Sequence, residues 1–186
     1  MKGVIIMHLV SLTDLNDYCR RALGWINKIY LHWTAGRYNQ QFDDYHINID
    51  RDGNIYIDGE LTDHKNHTYM RNGFAVGIAL DCAYGAQWTD NLGEYAPTDA
   101  QIETLAQVVA LLCVDLGIPC DIEHVLTHAE AADNMDGYYA HEPYGPATTC
   151  ERWDLWAVHE GDTPGSGGDV IRGKAKYYAQ EWGSNI

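Results

Sequence analysis

The sequence predicts one α/β domain of mixed α+β type, with a central, mostly buried β-sheet flanked by helices. Three observations predict it. Ala75–Leu80 (AVGIAL) is a continuous apolar run, the pattern of a strand covered on both faces. Asp99–Leu116 carries an apolar stripe at helical spacing. Short β-rich runs are interleaved with helical ones along 186 residues, a length suited to one domain, and 46% hydrophobic residues can fill its core.

From the N-terminus, residues 12–23 read as a helix, with Thr13 or Asp14 available as a cap and Gly24 beyond its end. Lys28–Trp33 alternates, Ile29 and Leu31 on one face and Tyr30 and His32 on the other, as a strand does. Residues 46–49 and 54–57 are β-rich and joined by Asp50-Arg51-Asp52-Gly53, where the Asp-Gly pair signals a hairpin. In the long helix, Pro97 precedes a capping box made by Thr98 and Gln101. Ile102, Leu105, Val109, Leu112 and Leu116 form its stripe, and Gly117 and Pro119 end it. Val125–Thr127 is a short strand leading into His128. Residues 133–149 are rich in Gly, Pro, Asn and Tyr and read as a long loop, a kind that usually serves function. Residues 161–168 read as a Gly/Pro/Ser linker and 170–182 as a short closing helix. The main domain is therefore 1–160, with 161–186 a linker and helix packing back on it.

The formal net charge is −15, from 27 acidic and 12 basic residues. Phosphate neutralisation needs clustered Lys and Arg, so nucleic acid is excluded as a partner, and anionic surfaces are not favoured. No run approaches the roughly 18 apolar residues of a membrane helix. The stretch from Met1 to Val10 lacks the apolar region and small-residue cleavage site of a secretory signal, so export by a standard leader is not expected. Five cysteines, an odd number with no CxxC, argue for free thiols made in a reducing cytoplasm.

Catalytic zinc takes three N, O or S ligands and keeps one position open. Three segments here end in a possible ligand: His32 in His32-Trp33-Thr34, His128 in Thr127-His128-Ala129-Glu130, and Asp154 in Arg152-Trp153-Asp154. They are remote from one another, so spacing alone gives only a possible metal site, and two His with one carboxylate suit iron as well as zinc.

The order of these segments is more specific. Leu31-His32-Trp33-Thr34 is followed by Tyr45-His46-Ile47-Asn48-Ile49 and Arg51-Asp52-Gly53. His67 then stands ten residues before Gly77, with Asn72 between. Pro97-Thr98-Asp99-Ala100-Gln101, His128 with Glu130, and Arg152 two residues before Asp154 complete the series. Over residues 28–154 this resembles the amidase family that includes phage lysozyme-type amidases, N-acetylmuramoyl-L-alanine amidases and peptidoglycan recognition proteins. Two positions depart from it: Arg152 stands where the family usually has Lys, and Gly77-Ile78-Ala79-Leu80 lacks the Glu that some relatives carry in this strand. The stretch between His128 and Arg152 is also longer than usual.

The resemblance implies a peptidoglycan recognition protein/amidase-like fold and a Zn2+ ion held by His32, His128 and Asp154. It implies hydrolysis of the amide between N-acetylmuramic acid and L-alanine in peptidoglycan or muropeptides. Tyr45 and Arg152 assist catalysis in this reading. Arg stays protonated and cannot shuttle a proton, so Glu130, Tyr45 and His67 are the candidates for proton transfer. His67, Asn72, Thr34 and, from the long loop, Tyr138, with Tyr139 and Tyr144, are candidates for substrate contact. The expected setting is a monomeric phage or prophage endolysin, made in the bacterial cytoplasm and reaching the wall by holin-type release. The alternatives are a cytoplasmic enzyme that recycles muropeptides and a recognition module of the same fold that binds without cutting.

Overall fold

The computed structural model describes residues 7–140 and 152–186. In chain order these form β1 (His8–Val10), α1 (Leu15–Ala22), β2 (Lys28–Trp33), β3 (Ile47–Ile49), β4 (Ile55–Ile57), β5 (Ala75–Leu80), α2 (Asp99–Leu116), β6 (Val125–Thr127), α3 (His128–Ala132) and α4 (Gly167–Glu181). Among the described residues the strands make one six-stranded sheet, ordered β1-β4-β3-β5-β2-β6. β3 and β4 form the expected antiparallel hairpin, and β1 extends it on the outer side of β4. β3, β5, β2 and β6 run parallel.

The two faces of the parallel half differ by strand alternation. Ile29, Leu31 and Trp33 of β2 join Val76, Ile78 and Leu80 of β5 in the main core, where α1, α2 and α4 pack. The other face presents Tyr30 and His32, which lie opposite Gly77 and Ala79 in register. Small residues on this face of β5 leave room for side chains above it. At Gly77 the need is explicit: an added Cβ would stand 2.5 Å from His67 Cγ.

α2 matches its predicted bounds. Thr98 Oγ1 accepts from Gln101 N and the Gln101 side chain caps Thr98 in return, while Gly117 closes the helix at φ 69°. Gln101 is fully buried, and its Nε2 donates to the carbonyls of Ile49 and Asp81, tying the helix start to β3 and to the end of β5.

Four expectations change. α1 starts at Leu15 rather than residue 12, and Asp14 makes no side-chain cap. Its carboxylate instead accepts from Ser11 N and Oγ. β1 was not anticipated; it is three residues long, with His8 and Leu9 exposed, and gives no alternating burial signal. The stretch after β6 turns into the short helix α3, whose capping box joins Thr127 and Glu130. Finally, Gly167 and Gly168 are not linker: α4 begins at Gly167, both glycines are buried, and the helix packs on α2. Among the described residues no helix is long and apolar enough to cross a membrane.

Candidate metal centre

His32 occupies the next-to-last position of β2, His128 the first position of α3, and Asp154 a turn that follows the undescribed stretch 141–151. All three are buried. His32 Nδ1 and His128 Nδ1 stand 3.1 Å apart. Asp154 Oδ2 lies 3.5 Å from the first and 3.6 Å from the second. A tetrahedral zinc with metal–ligand bonds of about 2.0–2.2 Å requires ligand atoms about 3.3 Å apart. The triangle fits such an ion. Two imidazole nitrogens and a carboxylate oxygen, buried and converging at one point, are a donor set that a divalent cation satisfies. Burial opposes ionisation of Asp154, but the charges of His128 and His32 and the hydrogen bonds to them prevail and hold its carboxyl below the usual range.

The centre lies in the wall of a cavity of about 580 Å³. Tyr45, His67, Asn72, Thr34 and Arg152 line it with His128 and Asp154, so most of the predicted site residues meet in one place. The Tyr45 ring stands 5.1 Å from the His32 ring. Burial, then the charges of Asp154 and Asp44, push the Tyr45 phenol up, so it is a neutral O–H at physiological pH. His67 is pushed down by burial and by the neighbouring His32, His46 and His128, so its ring is neutral. His46, the other half of the Tyr-His dipeptide, is a framework residue. Its Nδ1 accepts from Gly77 N at 3.0 Å and its Nε2 donates to Asp63 O at 2.9 Å. Burial lowers its pKa to about 4, which keeps Nδ1 free to accept.

Thr68 was not singled out from sequence, yet it organises the site. Its Oγ1 lies 3.3 Å from His32 Nε2 and 2.9 Å from His67 Nδ1. It therefore fixes the ring nitrogen of His32 that faces away from the ligand triangle, the arrangement that orients metal-binding imidazoles. Asn72 Oδ1 accepts from the backbone N of both His67 and Thr68, shaping the loop that carries them. Thr34 Oγ1 accepts from Gly36 N at 3.1 Å. Trp153, also unanticipated, packs edge-on against Trp33 with centroids 4.7 Å apart, and both indoles border the cavity.

Two predicted residues lie elsewhere. Glu130 is buried but is not among the residues lining the cavity. Its carboxylate accepts two 2.8 Å bonds from Arg172 of α4 and caps Thr127 N at 2.9 Å. A carboxylate so engaged holds structure and has no access to a substrate proton. Tyr138 is half exposed and also outside the cavity lining. The Arg71 guanidinium stacks 5.1 Å from its ring centroid and donates to its carbonyl, to Asn134 and to Asp136. That clamp ties the stretch after α3 to the loop of His67 and Thr68. Tyr139 is exposed, and Tyr144 lies outside the described residues.

A family model described as N-acetylmuramoyl-L-alanine amidase matches residues 22–150. Among solved structures, the Staphylococcus aureus hydrolase AmiA in complex with its ligand aligns at TM-score 0.52 and 15% identity, over 90% of this chain and 80% of that one. The endolysin amidase LysCS of Clostridium intestinale aligns at 0.45 and 20% identity, over 69% and 78%. The Drosophila peptidoglycan recognition protein PGRP-SA aligns at 0.43 and 16% identity, over 69% and 75%. No curated protein matches the chain.

Proposed function

Because the chain belongs to the N-acetylmuramoyl-L-alanine amidase family and so is a peptidoglycan amidase, we propose that His32, His128 and Asp154 hold one zinc ion at which the amide between the muramic acid lactyl group and L-alanine is hydrolysed. The observation that carries this reading is the ligand triangle of 3.1, 3.5 and 3.6 Å at the cavity wall. A zinc ion held there supplies Lewis acidity and lowers the pKa of water from 15.7 toward about 7.

The remaining roles follow from the side chains. Negative charge develops on the lactyl carbonyl oxygen, and Arg152 on the cavity wall meets it with a permanent positive charge. Removing one such contact typically costs ~2.7–4 kcal/mol of barrier. With Nδ1 of His32 committed as a ligand, its Nε2 carries the hydrogen and donates to Thr68 Oγ1. The Thr68 hydroxyl then donates to His67 Nδ1, which leaves the hydrogen of His67 on Nε2. That Nε2 is buried and makes no hydrogen bond among the described residues, so we assign it to a substrate acceptor. With Glu130 removed from the candidates, Tyr45, a neutral O–H, is the group that can hand its own proton toward the amide nitrogen while taking up the one given up by the attacking water, a relay in which its oxygen never carries two protons. Asn72 and Thr34 line the substrate's path.

The setting we propose is the bacterial cell wall, reached as endolysins reach it, with the chain acting as a monomer. Tyr69, on the cavity lining and half exposed, offers a flat face on which a wall sugar stacks. The test is digestion of purified sacculi by the metal-analysed protein. Release of free L-alanine amino groups and lactyl carboxylates with one zinc per chain is expected, and Asp154→Ala and His128→Ala should lose both. Full metal content and full activity in either variant would overturn the assignment. Faster turnover of soluble muropeptides than of sacculi would shift the setting to recycling.

A further inference from the structure

We propose that α4 is a brace for the metal centre, with Gly168 and Arg172 as positioning residues that set His128 and Asp154 relative to each other. The proposal rests on the ligand assignment above. Two ligand-bearing segments meet the first turns of this helix. On the His128 side, the Arg172 guanidinium donates Nη1 to Glu130 Oε2 and to the Val125 carbonyl, each at 2.8 Å, and Nη2 to Glu130 Oε1 at 2.8 Å. Asp169 adds a fourth bond at 2.7 Å. Glu130 Oε2 also caps Thr127 N, the residue before His128, and Thr127 Oγ1 caps Glu130 N in return. Arg172 therefore fixes both the end of β6 and the first turn of α3, and His128 is the junction of the two.

On the Asp154 side, Leu155 is fully buried and held at φ 56°, a conformation that a branched side chain seldom adopts and that needs outside support. The support is α4. Gly167 packs so closely on the Leu155 carbonyl that any Cβ there would overlap it, and the N–H groups of Gly165 and Gly167 both donate to Trp156 O. One helical turn thus seats the peptide after Asp154 and, through Gly168, the carboxylate two residues after His128. A Cβ on Gly168 would overlap both oxygens of Glu130. The adjacent glycines serve close approach: each faces a different ligand segment.

The same helix contains its own control. A Cβ on Gly173 meets nothing within 4 Å. Gly→Ala favours a helix by up to about 1 kcal/mol in its interior, where Gly173 lies, and does not disfavour it in the first turn, where Gly168 lies, so a loss confined to Gly168→Ala reports the push on Glu130. The experiment measures zinc affinity by competition with a chromophoric chelator for wild type, Gly168→Ala and Gly173→Ala, with circular dichroism as the check on folding. Loss of supporting contacts around a metal typically weakens affinity 10–100-fold. Gly168→Ala is expected to lose at least tenfold and Gly173→Ala to stay within twofold of wild type. Folded Gly168→Ala with wild-type affinity, or an equal loss in Gly173→Ala, overturns the brace. If Gly168→Ala does not fold, Arg172→Lys carries the same expectation, because Lys cannot hold both Glu130 oxygens and the Val125 carbonyl together; wild-type affinity there refutes the proposal equally. A wild-type chain that binds no zinc would instead refute the ligand assignment.

Discussion

Asp81 offers a prediction that can be worked through in numbers. It follows the last residue of β5, is fully buried, and neither of its carboxyl oxygens has a hydrogen-bond partner among the described residues. Burial, reinforced by the charge of Asp50, raises its pKa from 3.8 to about 8. The folded chain therefore carries a protonated Asp81 at neutral pH, whereas the unfolded chain ionises it near pH 4. Folding takes up a proton throughout that window. The contribution to stability is whole below about pH 4, falls by about 1.4 kcal/mol per pH unit as pH rises, and levels off above about pH 8. At pH 7 the accumulated loss is on the order of 4 kcal/mol. Asp81→Asn keeps the shape and removes the titration. Its backbone anchors, N to Ile49 O and O to Gln101 Nε2, do not involve the side chain. Urea unfolding of metal-free wild type and Asp81→Asn at pH 5, 6, 7 and 8 gives a difference in which all other titrations cancel. That difference should grow in favour of Asn by about 1.4 kcal/mol per unit, which at pH 7 amounts to roughly 10 °C in Tm for a chain of this size. A difference that stays flat from pH 5 to 8 refutes the assignment of a neutral buried acid.

Three further predictions concern the centre. Chelation of the metal-loaded protein should lower its Tm, while Asp154→Ala should show no chelator response; an equal response in both would remove Asp154 from the ligand set. Thr68→Val should weaken zinc affinity 10–100-fold by freeing His32 Nε2, read by chelator competition, and unchanged affinity would deny Thr68 that role. Gly77→Ala should displace the His67 ring and raise KM more than it lowers kcat, since the contact at 2.5 Å falls on a residue assigned to substrate binding; unchanged kinetics would detach His67 from the substrate.

Much of the fold was legible because its signals are local. β2, β5, α2 and β6 have the bounds that alternation, continuous apolarity and the Thr98–Gln101 box predict. The elements that escaped depend on distant partners. β1 depends on its pairing to β4, some 45 residues on, with Val10 packed against the core. α4 starts inside a glycine-rich stretch whose composition reads as a tether, and contact with Leu155 and Glu130 decides otherwise. α3 did carry a local sign, Thr127 three residues before Glu130, which the neighbouring strand pattern concealed. For the site, residue types limited the reading to a possible metal, and only the resemblance selected the three ligands. Glu130 shows where such reasoning stops. Its nearness in sequence to His128 suggested chemistry, whereas the partner that claims it stands 42 positions later.

The parallel pairing of β2 with β5 and β6 has a temporal consequence. His32 leaves the ribosome early, His128 follows 96 positions behind, and Asp154 later still. Pairings this remote close slowly and yield little until they are complete. The helix that steadies the last two ligands is made after all three. A nascent chain therefore passes most of its synthesis without a pocket able to capture a cation, and cutting power should switch on only once the stretch through Arg172 has emerged and docked. For a peptidoglycan amidase, that delay ties the onset of cutting to strand order.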